Sequence, residues 1–342
     1  HIGRKPIYLD LVPDALHFGG IALEANGISA VVANLQADIK MRAHWTLQGK
    51  SKEAIVDQMY RAVDWLLDEA QQRYVRLTSV GIAVHGIADS ARGVMRFPPA
   101  FGWKDLPLAD ILAQRYSIPV RVGNNSTALT LGEHWFGRGR RVENMVAVKI
   151  GHGIGSGIML NGTLLHGNDF SAGEIGHTTV AFDGPLCHCG NYGCLESVAS
   201  VPAILNQARM RLKQGSASTL MGMIDGDLDA LSLGHINQAA LAGDAMTQQV
   251  LEEAAVYIGV AVANCINLLN PSLVLLGGDI YDTLPFLLPT IKAVAASRTL
   301  EIPRKRVTIE DVALRHDAVA IGAVVFVLQD IFRVPSAQNV SV

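Results

Sequence analysis

Charge is scarce in this 342-residue chain, and neither sign dominates. Lys and Arg number 28 against 31 Asp and Glu, a formal net charge of −3, so no overall basic excess exists to hold nucleic acid. The densest basic text, Arg138, Arg140 and Arg141 in GRGRR, reads as a solvated loop. Cysteine is rarer still. Four in a chain this long exclude a disulfide scaffold. The longest apolar run, Ala318 to Leu328, falls short of the roughly 20 residues that span a bilayer. Asp317, Gln329 and Asp330 bound it, so it predicts a buried helix. No signal peptide, low-complexity segment or clear repeat is visible. These absences point to a cytoplasmic protein with no membrane insertion. The first residue is His1 rather than Met, as in a cloning remnant or a fragment of a longer chain.

What is present is apolar residue, at 49%, in a length that suits about two domains. Short extended segments are expected at 6–12, 17–24 and 28–34. The helix 52–72 is marked by Ile55, Met59, Val63, Leu66 and Leu67 at helical spacing behind Ser51, a capping residue. Residues 76–89 predict a strand and a Gly-rich turn, 107–116 a helix, and 118–125 a strand leading into a helix that ends at Gly137. Residues 145–165 read as a hairpin around a Gly-rich turn, with Asn161–Gly162 as a second turn signal. Residues 198–265 are largely helical. The apolar helix 252–270 stops at Pro271, 272–280 is a buried strand, and 317–332 is the final helix. Strands, a crossover helix and further strands, then the same theme again, predict two related α/β lobes with a cleft between them.

The densest chemistry lies at GEIGHTTVAFDGPLCHCGNYGCLE. His177, Cys187, Cys189 and Cys194 offer one imidazole and three thiols, the donor set of a closed tetrahedral Zn²⁺ site. A redox pair with a spare cysteine, or apolar filler, are the alternatives, but neither needs the Gly-rich spacing of CxCGxxGC. Glu174 and Glu196 flank the cluster, as structural partners of the metal or as walls of a polar ligand site.

GEIGH with CHCGNYGCLE resembles the signature of the ROK family of repressors, uncharacterised frames and sugar kinases. The likeness extends to VGNNSTALTLGEHWFG, similar to the family's sugar-site helix start. IGHGIGSGIMLNG is similar to its second phosphate loop, and LVLLGGDI to its adenosine strand. The resemblance implies a two-lobed actin-like, hexokinase-like ATPase fold (ribonuclease H-like) with a sugar cleft between the lobes and a zinc knuckle. It implies that His177, Cys187, Cys189 and Cys194 bind structural Zn²⁺. Asn124, Asn125, Glu174, His177 and Glu196 would line the sugar pocket. One lobe would comprise residues 1–122 plus 317–342, the other 123–316 with the knuckle and the oligomerisation surface.

The sequence departs from the family's kinases at several points. Asn125 stands where they carry an aspartate general base, and an amide cannot take up a proton near neutral pH. The DxGGT-type phosphate turn is matched to YLDLVPDALHFGG, where Val12, Pro13 and Asp14 replace glycines. His152 replaces a small hydroxyl residue in the second phosphate loop, which is more simply a hairpin turn. Pro99 and Thr127 stand at places usually held by Asn, and His85 replaces a usual Pro, reading as a satisfied loop histidine. These departures favour the repressor branch, similar to the glucose, N-acetylglucosamine and xylose repressors. The implied protein is a non-catalytic, sugar-responsive transcriptional regulator. Its effector is a sugar or sugar phosphate, it is a homodimer or homotetramer, and it has DNA and a possible protein as partners. GRKPIYLDL resembles the join after a winged helix-turn-helix module, which is expected upstream and absent from this chain. An ATP-dependent sugar kinase with an atypical site is the alternative.

Overall fold

The computed structural model describes residues 10–73, 75–97 (the side chain of Phe97 excepted) and 101–332. Within the first lobe run β1 (His17–Leu23), β2 (Gly27–Asn34), β3 (Ile39–Thr46), α1 (Lys52–Gln72), β4 (Leu77–Val84), β5 (Ile87–Asp89), β6 (Val94–Phe97), α2 (Leu108–Arg115) and β7 (Val120–Asn124). The helix α3 (Asn125–Phe136) leads to β8 (Met145–Ile150), β9 (Ile154–Leu160) and β10 (Thr163–Leu164). Then come α4 (Leu195–Ala199), α5 (Val201–Lys213), α6 (Leu220–Met223), α7 (Leu233–Leu241) and α8 (Ala245–Leu269). The chain continues through β11 (Leu273–Gly277), α9 (Leu284–Arg298), α10 (Glu301–Arg306), β12 (Thr308–Asp311) and α11 (Ala318–Ile331).

The two main sheets have one topology, β3-β2-β1-β4-β7 and β10-β9-β8-β11-β12. In each, an antiparallel three-strand meander is followed by two parallel strands, as the parallel pairings of β4 with β1 and β7, and of β11 with β8 and β12, show. The fold is thus an internal duplication whose two halves carry no visible repeat in sequence.

Alternation along the strands divides the apolar residues into three cores. Ile21 and Leu23 of β1 face outward and are covered by Ile55, Met59 and Leu66 of α1 and Leu112 of α2. Ser51 caps α1 by accepting from the Ala54 N–H at 3.2 Å. Val146, Val148 and Ile150 of β8 face the other way, under Ile258 and Val262 of α8 and Ile291 of α9. The middle core runs from Phe18 and Ala22 through Val324 of α11 and Leu129 of α3 to Ala147 and Leu275. Two helices therefore fill the space between the sheets, α11 on the first and α3 on the second. Their crossing is close: a Cβ on Gly322 would run into the Ala128 carbonyl oxygen of α3. The helix α8 is long and apolar enough to cross a membrane, but its apolar face is consumed by this packing.

The predicted strand at 6–12 needs correction. Residues 6–9 lie outside the described residues, and 10–12 have no regular structure. Pro13 to Ala15 form a 3₁₀ turn, which the fixed φ of Pro13 favours. Asp14 does not face a phosphate site. It pairs with Lys40 at 2.8 Å and accepts from the Asn34 side chain at 2.8 Å. The third strand is instead β3, whose half-polar, mostly solvent-facing pattern hid it. The turn between β1 and β2, Glu24 to Asn26, is the topological counterpart of the turn between β8 and β9, whose His152 and Gly153 line the cleft. Gly19 and Gly20 belong to β1, the strand expected at 17–24. A Cβ on Gly19 would meet Leu66 at 2.8 Å, and one on Gly20 would strike the Ala320 carbonyl.

Candidate functional site

A cavity of about 1110 Å³ opens where the ends of β4, β7 and β8 approach the knuckle segment. Asn124, Asn125, Glu174, His177 and Glu196 are all among the residues that line it. The strand β7 ends at Asn124, which caps α3. Its Oδ1 accepts from the N–H groups of Ser126 (2.7 Å) and Thr127 (3.2 Å), and its Nδ2 donates to the Gly86 carbonyl (2.7 Å). Asn124 is thus mainly a positioning residue.

Asn125 opens α3 and is 3% exposed. Its Nδ2 donates to the Leu23 carbonyl at 3.0 Å, while its Oδ1 is buried with no partner. Asn125 lines the cavity as a residue, with this unpaired acceptor shielded from solvent behind its surface. The Glu174 carboxylate has no hydrogen-bond partner among the described residues, and burial, then the nearby Glu196, pushes its pKa above the usual carboxylate range. Glu196 is held at both ends: Oε2 accepts from the Ile154 N–H at 2.7 Å, and Oε1 lies 3.2 Å from His188 Nδ1.

The knuckle is what fixes Glu196. Cys194 is the residue before α4, and Glu196 lies in that helix's first turn. The donor atoms of His177, Cys187, Cys189 and Cys194 lie within 4.8 Å of one another and can hold a metal ion. Cys189 Sγ to Cys194 Sγ is 3.7 Å, as is Cys187 Sγ to His177 Nδ1. A tetrahedron with zinc–sulfur arms of about 2.3 Å has edges of roughly 3.8 Å, so the donors already stand at ligand spacing. With Nδ1 turned to the cluster, the His177 ring packs edge-on against His188 at 5.3 Å.

His85 is not a satisfied loop histidine. It lines the cavity between Phe101 (6.2 Å) and His152 (6.4 Å), with no hydrogen bond to its ring among the described residues. Burial, with the Lys149 charge next, brings its pKa from 6.5 to about 3. A folded pKa below the unfolded one makes its stability contribution whole above pH about 6.5, to be lost as pH falls toward 3. Between pH 6.5 and 5 the loss is roughly 2 kcal/mol. Urea titrations of His85→Gln at these two pH values are expected to show a smaller drop than the parent; an equal drop would mean the ring is charged in the fold.

Glycines of the 151–157 stretch divide into two uses. Gly151 and Gly153 belong to the hairpin turn. Gly155 and Gly157 lie inside β9, where a Cβ would collide with Ser126 or Thr130 of α3. Thr127 lines the cavity, and Pro99 lies outside the described residues. Sequence reasoning missed Glu24, Lys149 and Asp279. Lys149, 5% exposed, places Nζ 3.0 Å from Glu24 Oε2 and 3.7 Å from Asp279 Oδ1. Burial opposes its charge, but the two carboxylates prevail and raise its pKa. Burial raises the Glu24 pKa, with Lys149 opposing.

The family model of the ROK family matches residues 18–330. The chain belongs to the ROK family. This ROK protein is 29% identical to the xylose repressor of Caldicellulosiruptor bescii over 334 residues, covering 97% of this chain and 83% of that one. It is 29% identical to the DNA-binding transcriptional repressor Mlc of Escherichia coli over 322 residues, 94% of this chain and 78% of Mlc. Among solved structures, a ROK family glucokinase from Streptomyces griseus in complex with glucose and AMPPNP superposes with a TM-score of 0.82 at 29% identity. That match covers 90% of this chain and 98% of the glucokinase. A ROK family transcriptional regulator, a homologue of the E. coli Mlc protein, matches with a TM-score of 0.80 at 28% identity, covering 91% and 77%. The two-lobed actin-like, hexokinase-like architecture is therefore that of ROK kinases and repressors alike.

Proposed function

We propose that this chain is the effector-binding and oligomerisation region of a sugar-responsive transcriptional regulator, a repressor that does not phosphorylate its ligand. Asn125 carries the reading. Its Nδ2 is committed to the Leu23 carbonyl, and its unpaired Oδ1 lies shielded at the cavity's edge, where a small shift on ligand binding would be needed to use it. An amide oxygen accepts a hydrogen bond from a hydroxyl but does not remove the proton at neutral pH. Glu174 and Glu196 would accept from further hydroxyls, with His177 and Asn124 completing the wall. The knuckle would hold a structural Zn²⁺ that keeps Glu196 in register. The similar xylose repressor and Mlc support a DNA-binding regulator over an enzyme.

In mechanism, residues 1–122 with 317–342 would move as one body against 123–316, and a sugar or sugar phosphate would prefer the closed arrangement. That preference shifts the population of a dimer or tetramer and so the spacing of its DNA-reading modules. DNA contact is assigned to a winged helix-turn-helix segment outside residues 1–342, and the site of action to the cytoplasm. The kinase alternative has one observation in its favour, the match to a glucokinase solved with glucose and AMPPNP.

A thermal-shift screen of neutral sugars and sugar phosphates, followed by calorimetry, tests the reading. One ligand at a hundredfold excess over its Kd is expected to add about 2.7 kcal/mol of stability. Asn125→Ala should weaken that ligand about tenfold, the loss of roughly one buried hydrogen bond. Turnover of any sugar with Mg²⁺ and ATP would overturn the non-enzymatic reading.

A further inference from the structure

Two turns and the end of β8 meet in an ion cluster to which sugar recognition has assigned no role, and of its members Lys149 lines the cavity. Lys149 sits near the end of β8, on the face it shares with Met145 and Ala147, toward the space between the sheets. It reaches Glu24, just after β1 in the first lobe, and Asp279, just after β11 in the second. The other Asp279 oxygen, Oδ2, accepts from the His152 N–H at 3.2 Å. Gly151 lies directly beneath that carboxylate, and a Cβ there would run into Oδ2. A carboxylate on the amide face of a Gly-rich turn, with a lysine beside it, reproduces the contacts that such turns make with a phosphate.

We propose that Glu24, Lys149 and Asp279 are an internal substitute for a nucleotide's phosphates, an interlobe latch that excludes nucleoside triphosphate and lets the cleft close on its ligand without one. The inference deepens the effector reading and rests on it. Two carboxyl groups face one ammonium, so even with Glu24 neutral Lys149 is already matched by Asp279 and the cluster offers a polyphosphate no net positive charge. The amide donor that a phosphate would use is already taken. The latch also touches the sugar wall. Asn125 donates to Leu23, the residue before Glu24, and its amide favours the ionised Glu24. Occupancy of the Asn125 acceptor and integrity of the latch thus share one strand end.

The test uses the full, metal-loaded chain, with Mg·AMPPNP and inorganic triphosphate as probes in calorimetry. The parent is expected to bind neither at millimolar concentration. Asp279→Asn, whose side chain is 43% exposed and so tolerant of change, should bind both at least tenfold more tightly than the parent. Glu24→Gln/Asp279→Asn should strengthen this further, because Lys149 is then free to face the anion. A cooperative thermal melt checks the fold of each variant. Micromolar nucleotide binding by the parent would overturn the latch, as would a folded Asp279→Asn protein with parental affinity for both probes. Failure of every sugar to bind counts against the effector reading instead, and is read in a separate titration.

Discussion

Cys189→Ser is expected to empty the knuckle and lower the thermal midpoint by on the order of 5 °C, the size expected for losing a few kcal/mol in a protein of this length. Cys189 is the informative choice because it is exposed, so exchanging sulfur for oxygen removes no core packing. The other donors are held in place by the chain: Cys187 and Cys194 are buried, and Cys194 is the residue before α4. Metal binding at such a site is folding free energy, since a preformed donor set does not exist in the unfolded chain. The effect should reach the ligand. Without the ion the loop before α4 should loosen while Leu195 and Ala199 keep that helix on the core, so the hold on Glu196 should weaken and effector affinity fall with metal content. Elemental analysis, melting and sugar titration on the same sample measure all three. Tyr192→Ser, an exposed change in the same loop, is the control and should retain the metal. A Cys189→Ser protein with parental metal content and melting would remove the metal assignment.

Gly322→Ala should be nearly as damaging, at about 3 kcal/mol or more. One methyl group is ordinarily a mild change in a helix, and an exposed Gly to Ala replacement gains roughly 0.4–1 kcal/mol. Here the methyl would overlap the Ala128 carbonyl oxygen, a backbone atom that can yield only if α3 and α11 separate. Gly222→Ala in α6 supplies the contrast, since a Cβ there meets nothing within 4 Å. Urea unfolding should place the two variants on opposite sides of the parent. Because α3 begins with Asn125, displacement of its body should also weaken the ligand. Parental stability in Gly322→Ala would mean that the helices do not cross as closely as described.

Much of the fold is written locally. Ser51 and the apolar spacing of α1 mark that helix without help from the rest of the chain, and α11 is announced by its unbroken apolar run. The knuckle was legible for the same reason: three of its donors fall within one short loop. The first phosphate turn is expected one element too early, around Val12, Pro13 and Asp14, because the text before β1 reads as a strand. Gly19 and Gly20 lie in the expected strand and serve two helices that press on both faces of β1. The strand β3 was hidden because a mostly exposed edge strand is not apolar. The cluster of Glu24, Lys149 and Asp279 joins residues more than a hundred positions apart, which no local pattern encodes. One sign of it was present: a lysine inside the apolar strand MVAVKI needs a buried partner.

The helix α3 also has mechanical meaning. Its far end is tied to the second lobe: Glu133, fully buried, accepts from the Arg138 and Leu314 amides, and Arg138 grips Asp311 at the end of β12. Its near end carries Asn125 with its unpartnered Oδ1, and its middle bears on α11 of the first lobe at Gly322. With that glycine as pivot the helix would act as a rocker. Twelve residues span about 18 Å, so arms of about 9 Å on either side turn a ten-degree rotation into roughly 1.6 Å at each tip. A shift at the Asn125 end would thereby be passed, in the opposite sense, to the contact of Arg138 with Asp311.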